Sequence, residues 1–315
     1  MRFSRAFLLL SVLLLCLSCG KDRYVIFSGY AQGGTYSVKY NASGVGTSPD
    51  QVRDSIDRIL QAIDMSVSGY NRNSLLSRRN SGETVTEDRY LKELTALSEH
   101  YRELTDGAFD ASAAPLFDVW GFGFTGDSLP SEELVAQALE KCRAGLVMNF
   151  NAIAQGYTCD VIAEYLHSLG VHDMLVDVGE IYCEGLNPSG NAWAIGIDNP
   201  VDGNNSPGAD MRAVWTSDGA SCGIVTSGNY RKFYVRDGKK YAHTIDPRTG
   251  YPVTHDLLSA TVVAPTATEA DAIATFCMVI GPDEARDYIL SRSDLEACLI
   301  MSDTLWMSPG FTLKK

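Results

Sequence analysis

The chain has 315 residues, 45% of them hydrophobic, enough to bury one large core or two small ones. Its formal net charge is −13, which argues against general nucleic-acid binding, because that needs a basic face to neutralise phosphates. The same acidity means that a phosphate-bearing ligand would need a metal or a locally basic pocket.

At the start of the chain, Arg2 and Arg5 flank an uncharged apolar run, Leu8–Leu17, and the small residue Ser18 precedes Cys19. This is the layout of a secretory signal, and the run falls short of the roughly 20 apolar residues that span a bilayer. The segment is similar to bacterial lipoprotein signals. Residues 1–18 are therefore expected to be a lipoprotein signal peptide, 19–28 a tether lipid-anchored at Cys19, and 29–315 the folded domain. The expected location is outside the cytoplasm, anchored to a bacterial membrane and facing the periplasm. The plainer alternative is an ordinary cleaved signal with an incidental cysteine. Removing the signal takes two basic residues and brings the charge near −15.

Helix signals come next. Ser48, Pro49 and Gln51 form a capping box with proline at the first position, and Val52, Ile56, Ile59, Leu60 and Ile63 share one face of a helix to about Met65. A second helix is predicted over Glu87–Leu104, capped by Thr86, a third over Ser131–Cys142, and a fourth from about Ala152 to Leu169. Strands follow at Met174–Val178, Trp193–Ile197, Ala213–Thr216, Phe233–Val235 and Leu258–Val263. Thr266 and Glu269 form another capping box, opening a helix to about Ile280. One more helix follows Pro282, and Ala297–Met301 is the last strand. With no repeat or linker, this predicts a single mixed α+β domain with a largely antiparallel core and flanking helices.

Six cysteines remain in the body, Cys142, Cys159, Cys183, Cys222, Cys277 and Cys298, with no C-x-x-C pair among them and no spacing that implies a disulfide framework. There are five histidines, too few to predict a His-rich metal site.

Several segments could carry chemistry. Asp271 and Thr275 are four apart and so share a helical face; their hard oxygens suit magnesium or calcium, although such a pair is more often simply hydrogen-bonded or solvated. His243 precedes the turn Asp246-Pro-Arg-Thr-Gly250 and could be a general base for a hydroxyl or, equally, a structural histidine. Gly223-Ile-Val-Thr-Ser-Gly228 reads as a strand entering a Ser-Gly turn whose amides, with Arg231, could hold phosphate oxygens. Asn149-Phe-Asn-Ala-Ile-Ala-Gln-Gly156 leads into a helix N-terminus, which favours anions. Trp120 and Phe122 could stack on a flat ring, although packing is the commoner use of aromatics.

Taken in order, Gly34-Thr-Tyr-Ser-Val, Met65 to Asn80, Gly107-Ala-Phe-Asp, Trp120-Gly-Phe-Gly, Ala152-Ile-Ala-Gln-Gly-Tyr, Thr226-Ser-Gly-Asn-Tyr-Arg, His243-Thr-Ile-Asp-Pro-Arg-Thr-Gly and Thr268-Glu-Ala-Asp-Ala resemble the ApbE family of FAD:protein FMN transferases. The resemblance runs from about Tyr30 to the end, and the His243 segment is its most specific piece. It implies an enzyme that cleaves FAD with a divalent metal, Mg2+, and attaches FMN through a phosphoester to a threonine of a partner flavoprotein, releasing AMP. It places the metal on Asp271, Thr275 and the carbonyl of Ala152. It places FAD against Tyr70, Ala108, Phe109, Asp110, Asn149, Gln155 and Ile245, and makes His243 the base or orienting group for the acceptor threonine. The implied partners are exported flavin-bearing subunits of membrane redox complexes. The chain departs from the family pattern at Gly33 (commonly Met), Asn149 (usually Asp), Gln155 (often Lys) and Ala274 (acidic in some members), and at Gly179-Glu180 it has one glycine where the family tends to have two. Two other readings share these residues: a metal-dependent FAD pyrophosphatase, with water as acceptor, and a flavin-binding lipoprotein without turnover.

Overall fold

The computed structural model describes residues 23–122, 129–204, 206, 208–230, 233–236 and 239–314. The expected signal, the anchor at Cys19 and Arg231 lie outside the described residues.

The chain opens with a hairpin, β1 (Tyr24–Ala31) and β2 (Gly34–Asn41). Its two-residue turn, Gln32-Gly33, has positive φ at both positions, 51° and 82°, as the tight hairpin turn that follows strand twist requires. Because β1 starts at Tyr24, residues 24–28 belong to the sheet rather than to a tether.

Helices follow: α1 (Pro49–Val67), α2 (Leu75–Asn80), α3 (Arg89–Leu104), the short α4 (Ala114–Val119), α5 (Glu132–Arg143) and α6 (Ala154–Ser168). Helix α1 has the reciprocal Ser48–Gln51 capping box that was expected. Helix α3 is capped by Asp88, not Thr86: the Asp88 carboxylate accepts from the Leu91 amide at 3.0 Å and from Ser66 on α1 at 2.6 Å, so it caps one helix and ties it to another.

The remaining strands are β3 (Met174–Asp177), β4 (Ile181–Glu184), β5 (Ala194–Asp198), β6 (Met211–Thr216), β7 (Cys222–Gly228), β8 (Phe233–Arg236), β9 (Lys239–Ala242), β10 (Ile245–Asp246), β11 (Tyr251–Pro252), β12 (Leu257–Ala264), β13 (Glu296–Met301), β14 (Leu305–Met307) and β15 (Leu313–Lys314), with α7 (Ala267–Ile280) and α8 (Pro282–Ser291) between β12 and β13. Thr266 caps α7 through the Glu269 amide at 3.1 Å. The expected return bond is replaced, because the Glu269 carboxylate pairs with Arg292 at 2.8 Å.

Eight strands form one sheet in the order β1-β2-β3-β4-β7-β12-β13-β14, antiparallel at every pairing. Both faces are buried, so alternate residues serve different cores. Met174 and Val176 point to the helices, Leu175 to the other side. Ala297 and Leu299 likewise face α7, while Cys298 and Ile300 face a small sheet of β15, β6 and β5. The molecule is thus a single α+β domain of three layers. All six described cysteines are free and buried. Cys183 and Cys222 are direct cross-strand partners with sulfurs 3.7 Å apart. No helix among the described residues is long and apolar enough to cross a membrane.

One expected turn is not a turn. Thr226, Ser227 and Gly228 continue β7 and pair with Thr261, Ala260 and Ser259. Their amides belong to a strand ladder, and the bend falls one residue later, at Asn229-Tyr230. They do not form the phosphate-binding turn read from the sequence.

Candidate active site

Helices α6 and α7 pack against each other at their N-terminal ends, and the contact requires small residues. A Cβ added to Gly156 would lie 2.2 Å from the Ala267 carbonyl oxygen and 2.9 Å from the Asp271 Cβ. One added to Gly223 of β7 would lie 2.2 Å from the Ala267 Cα. Glycine at these two positions lets the start of α7 sit between α6 and the sheet.

Two carboxylates bind this junction together. Asp160 on α6 accepts from the amides of Ala267 and Thr268 at 2.9 and 2.8 Å, and from the Thr268 hydroxyl at 2.5 Å, satisfying amide donors that a helix start leaves without partners. Asp271 is 4% exposed, and its Oδ2 accepts from the Gly156 amide at 3.0 Å. In a continuous helix that amide would bond to the carbonyl four residues back, that of Ala152. Asp271 has captured it instead. Helix α6 starts at Ala154, its cap Ile153 offers no side-chain bond, and among the described residues the Ala152 carbonyl accepts no backbone hydrogen bond. Asp271 Oδ1 likewise accepts none from the described residues. Thr275, one turn along α7, lies half-buried with its hydroxyl 3.4 Å from Ser227 Oγ.

Burial pushes the Asp271 carboxyl up to about 7; the Gly156 amide opposes this, and the charge of Asp160 adds to it. Burial likewise raises Asp160, against the hydrogen bonds from Thr268 and Ala267. A buried carboxylate, a hydroxyl one turn along the same helix and the carbonyl whose amide the carboxylate has taken are hard oxygen donors of the kind a hard cation prefers, and its charge would make ionisation favourable. Asp271, Thr275 and the Ala152 carbonyl fit that role chemically.

The cavity beside this junction has a volume of about 910 Å³ and is lined by Tyr70, Gln155, Gly33, Asn151, Ala154 and neighbours from α1. Tyr70 is 65% exposed, and its hydroxyl accepts from Asn151 Nδ2 at 3.0 Å. Asn149 Oδ1 accepts from the Asn151 amide at 2.8 Å, and the Asn149 amide donates to the Ala111 carbonyl at 2.8 Å. Gln155 is committed to the Val178 carbonyl at 3.0 Å.

The other expected FAD contacts lie outside that cavity. Asp110 lines a separate space of about 440 Å³ with Arg79, Arg102 and Arg143, and its Oδ1 accepts from the Ser112 amide and hydroxyl, both at 2.7 Å. Ala108 and Phe109 are buried in the core. Ile245 is buried with Trp120, whose indole donates to the Gly250 carbonyl at 2.8 Å, so two separate sequence segments close on one another. His243 stands edge-on to Phe122, with centroids 6.3 Å apart. Neither Asn151, which links Tyr70 to Asn149, nor Asp160 carries a sequence signal of its own. Asp160 stands in an apolar helical pattern where an acidic residue reads as surface.

The comparisons with known proteins agree with this architecture. The ApbE family model matches residues 32–299. The chain belongs to the ApbE family. It is 34% identical over 299 residues to the FAD:protein FMN transferase of Vibrio cholerae, covering 87% of each chain. It is 32% identical over 290 residues to that of Escherichia coli K12, covering 83% of this chain and 81% of the relative. Among solved structures, the flavinyl transferase ApbE of Pseudomonas stutzeri in its apo form superposes with a TM-score of 0.79 at 30% identity, over 93% of this chain and 96% of that one. The flavin transferase ApbE of Vibrio cholerae superposes at 0.77 and 28% identity, over 92% and 98%.

Proposed function

We infer that this ApbE-family chain is an FAD:protein FMN transferase, taking FAD as substrate and a flavoprotein as acceptor. The observation that carries the reading is the α6–α7 junction, in a chain matching the family over residues 32–299: Asp271 takes the Gly156 amide, which leaves the Ala152 carbonyl with no backbone partner among the described residues.

In this reading Asp271, Thr275 and the Ala152 carbonyl hold Mg2+. When bound, the cation would neutralise charge on the FAD pyrophosphate. The chain's own residues bind and orient the substrate. The exposed Tyr70 ring offers a flat apolar face, Asn149 and Asn151 hold that rim together, and Gln155 lines the same cavity, whereas Ala108, Phe109 and Ile245 are buried in the core and Asp110 lines the separate arginine-rich space. His243 takes the proton of the acceptor threonine hydroxyl. The threonine oxygen bonds to the phosphorus on the FMN side, the pyrophosphate bridge breaks, and AMP leaves.

We further propose that the chain is exported and lipid-anchored at Cys19, which would hold it near the exported flavin-bearing subunits of membrane redox complexes. Support comes from the Arg2–Cys19 sequence alone, and a Cys19→Ala variant should leave the membrane fraction.

The activity is tested by mixing the protein with FAD, Mg2+ and the exported domain of a flavoprotein, then reading flavin fluorescence on the denatured acceptor. Covalent label with stoichiometric AMP is expected. AMP and free FMN without label would mean a pyrophosphatase, and bound, intact FAD would mean a binding protein.

A further inference from the structure

The opposite end of α6 brings together a different set of groups. His167 lies in the last turn of α6, His172 follows in the loop, and Glu184 ends β4. His167 Nε2 lies 2.6 Å from Glu184 Oε2, and His172 Nδ1 lies 3.3 Å from Oε1. One ligand atom from each residue lies within 4.8 Å of the others. The imidazole centroids are 5.6 Å apart. Glu184 is held from behind, where the Tyr182 hydroxyl donates to its Oε2 at 3.1 Å. Its side chain is 18% exposed, against 35% for His167 and 73% for His172.

We propose that His167, His172 and Glu184 form a second metal site, specific for a zinc-class divalent cation, with water in the fourth position. Two imidazole nitrogens and one carboxylate oxygen are the donors borderline cations prefer, and a poor set for magnesium or calcium. Around a tetrahedral ion with bonds of about 2.0–2.1 Å, ligand atoms stand about 3.3 Å apart, so the present spacing needs only small side-chain rotations. The Tyr182 hydroxyl supplies the outer hydrogen bond that orients a ligating carboxylate. The C-terminus of α6 also favours positive charge, since unpaired carbonyls gather there. His172 leaves one side open, so the ion is exchangeable.

This site is separate from the Asp271 junction in position and in chemistry. Gly156 and His167 lie about 16 Å apart along α6 at 1.5 Å per residue. A bound ion would tie the end of α6 and the following loop to β4.

The test is calorimetric titration of the chelator-stripped protein with Zn2+ in excess Mg2+, backed by the visible spectrum of the Co2+ form. We expect one zinc equivalent and the bands of four-coordinate Co2+. His167→Ala and His172→Ala should each weaken zinc binding by about 100-fold or more, and Tyr182→Phe by about 10-fold. Flavin transfer without zinc should be unchanged in His172→Ala. Zinc uptake undiminished in His172→Ala, or no uptake by the unaltered protein, would overturn the site. His172 is exposed enough that its variant will fold even if His167→Ala does not. Because the readout is metal binding, failure here would not touch the transferase reading.

Discussion

Helix α6 has one polar cluster at each end, and burial makes them chemically opposite. At the N-terminal end, Asp271 is closed in by α6 and α7, and Gly156 and Gly223 allow backbones to touch. A charge there is costly unless a cation or amide meets it, so the carboxyl holds its proton unusually strongly. At the C-terminal end, the imidazoles of His167 and His172 reach solvent. The comparison teaches that donor type alone does not define a metal site. On the proposed reading, the buried end is built around its cation and should fail when altered, whereas the exposed end is an addition that the fold can lose.

The sharpest way to break that contrast is Asp271→Ala. It should lower Mg2+-dependent flavin transfer by about 10³-fold or more, with the far-ultraviolet circular dichroism retained. Wild-type turnover in that variant would remove Asp271 from the chemistry. Next, Gly156→Ala would force a Cβ to within 2.2 Å of the Ala267 carbonyl oxygen. A helix shift of that kind should destabilise the fold by about 3 kcal/mol, read from chemical denaturation, and reduce activity with it. Asp160→Ala would free the Ala267 and Thr268 amides, costing about 2 kcal/mol in the same assay.

Much of the frame was legible before the fold was known. The apolar stripe of α1 and the caps at Ser48 and Thr266 fixed helices to within a residue or two, because those signals are local. The β1–β2 hairpin turns at Gln32-Gly33, which lacks the usual Asn-Gly or Asp-Gly signal, and Ser227-Gly228 has the composition of a turn though it continues β7, whose pairing with β12 is decided by a partner far along the chain. The site divides in the same way. Asp271 and Thr275 share a face by spacing, but the Asp271–Gly156 bond joins residues 115 apart, beyond any periodicity. Only the resemblance put Ala152 beside them. His167, His172 and Glu184 come from a helix, a loop and a strand, so no spacing rule gathers them.

A smaller effect separates the two ends by pH. In the metal-free protein Asp271 carries its proton up to about 7, whereas an unfolded aspartate releases it near about 3.9. Between those values the folded state binds more protons, so this group's stabilisation is complete below about 3.9 and is lost as pH rises through about 7. In chelator, the melting temperature of the unaltered protein should therefore fall relative to that of Asp271→Asn between about pH 4 and about pH 7. Parallel curves would show that burial does not hold the proton.

The smallest effect is expected at the exposed end. Without zinc, His172→Ala should change stability by no more than about 0.5 kcal/mol. The removed ring is mostly in solvent, and Glu184 keeps its bonds to His167 and to the Tyr182 hydroxyl, so no buried charge is left alone. Adding zinc should open a gap, raising the melting temperature of the unaltered protein but not of the variant, because only an ion held by the folded state shifts the equilibrium. A loss of several kcal/mol without zinc would make His172 part of the core architecture and erase the distinction between the two ends of α6.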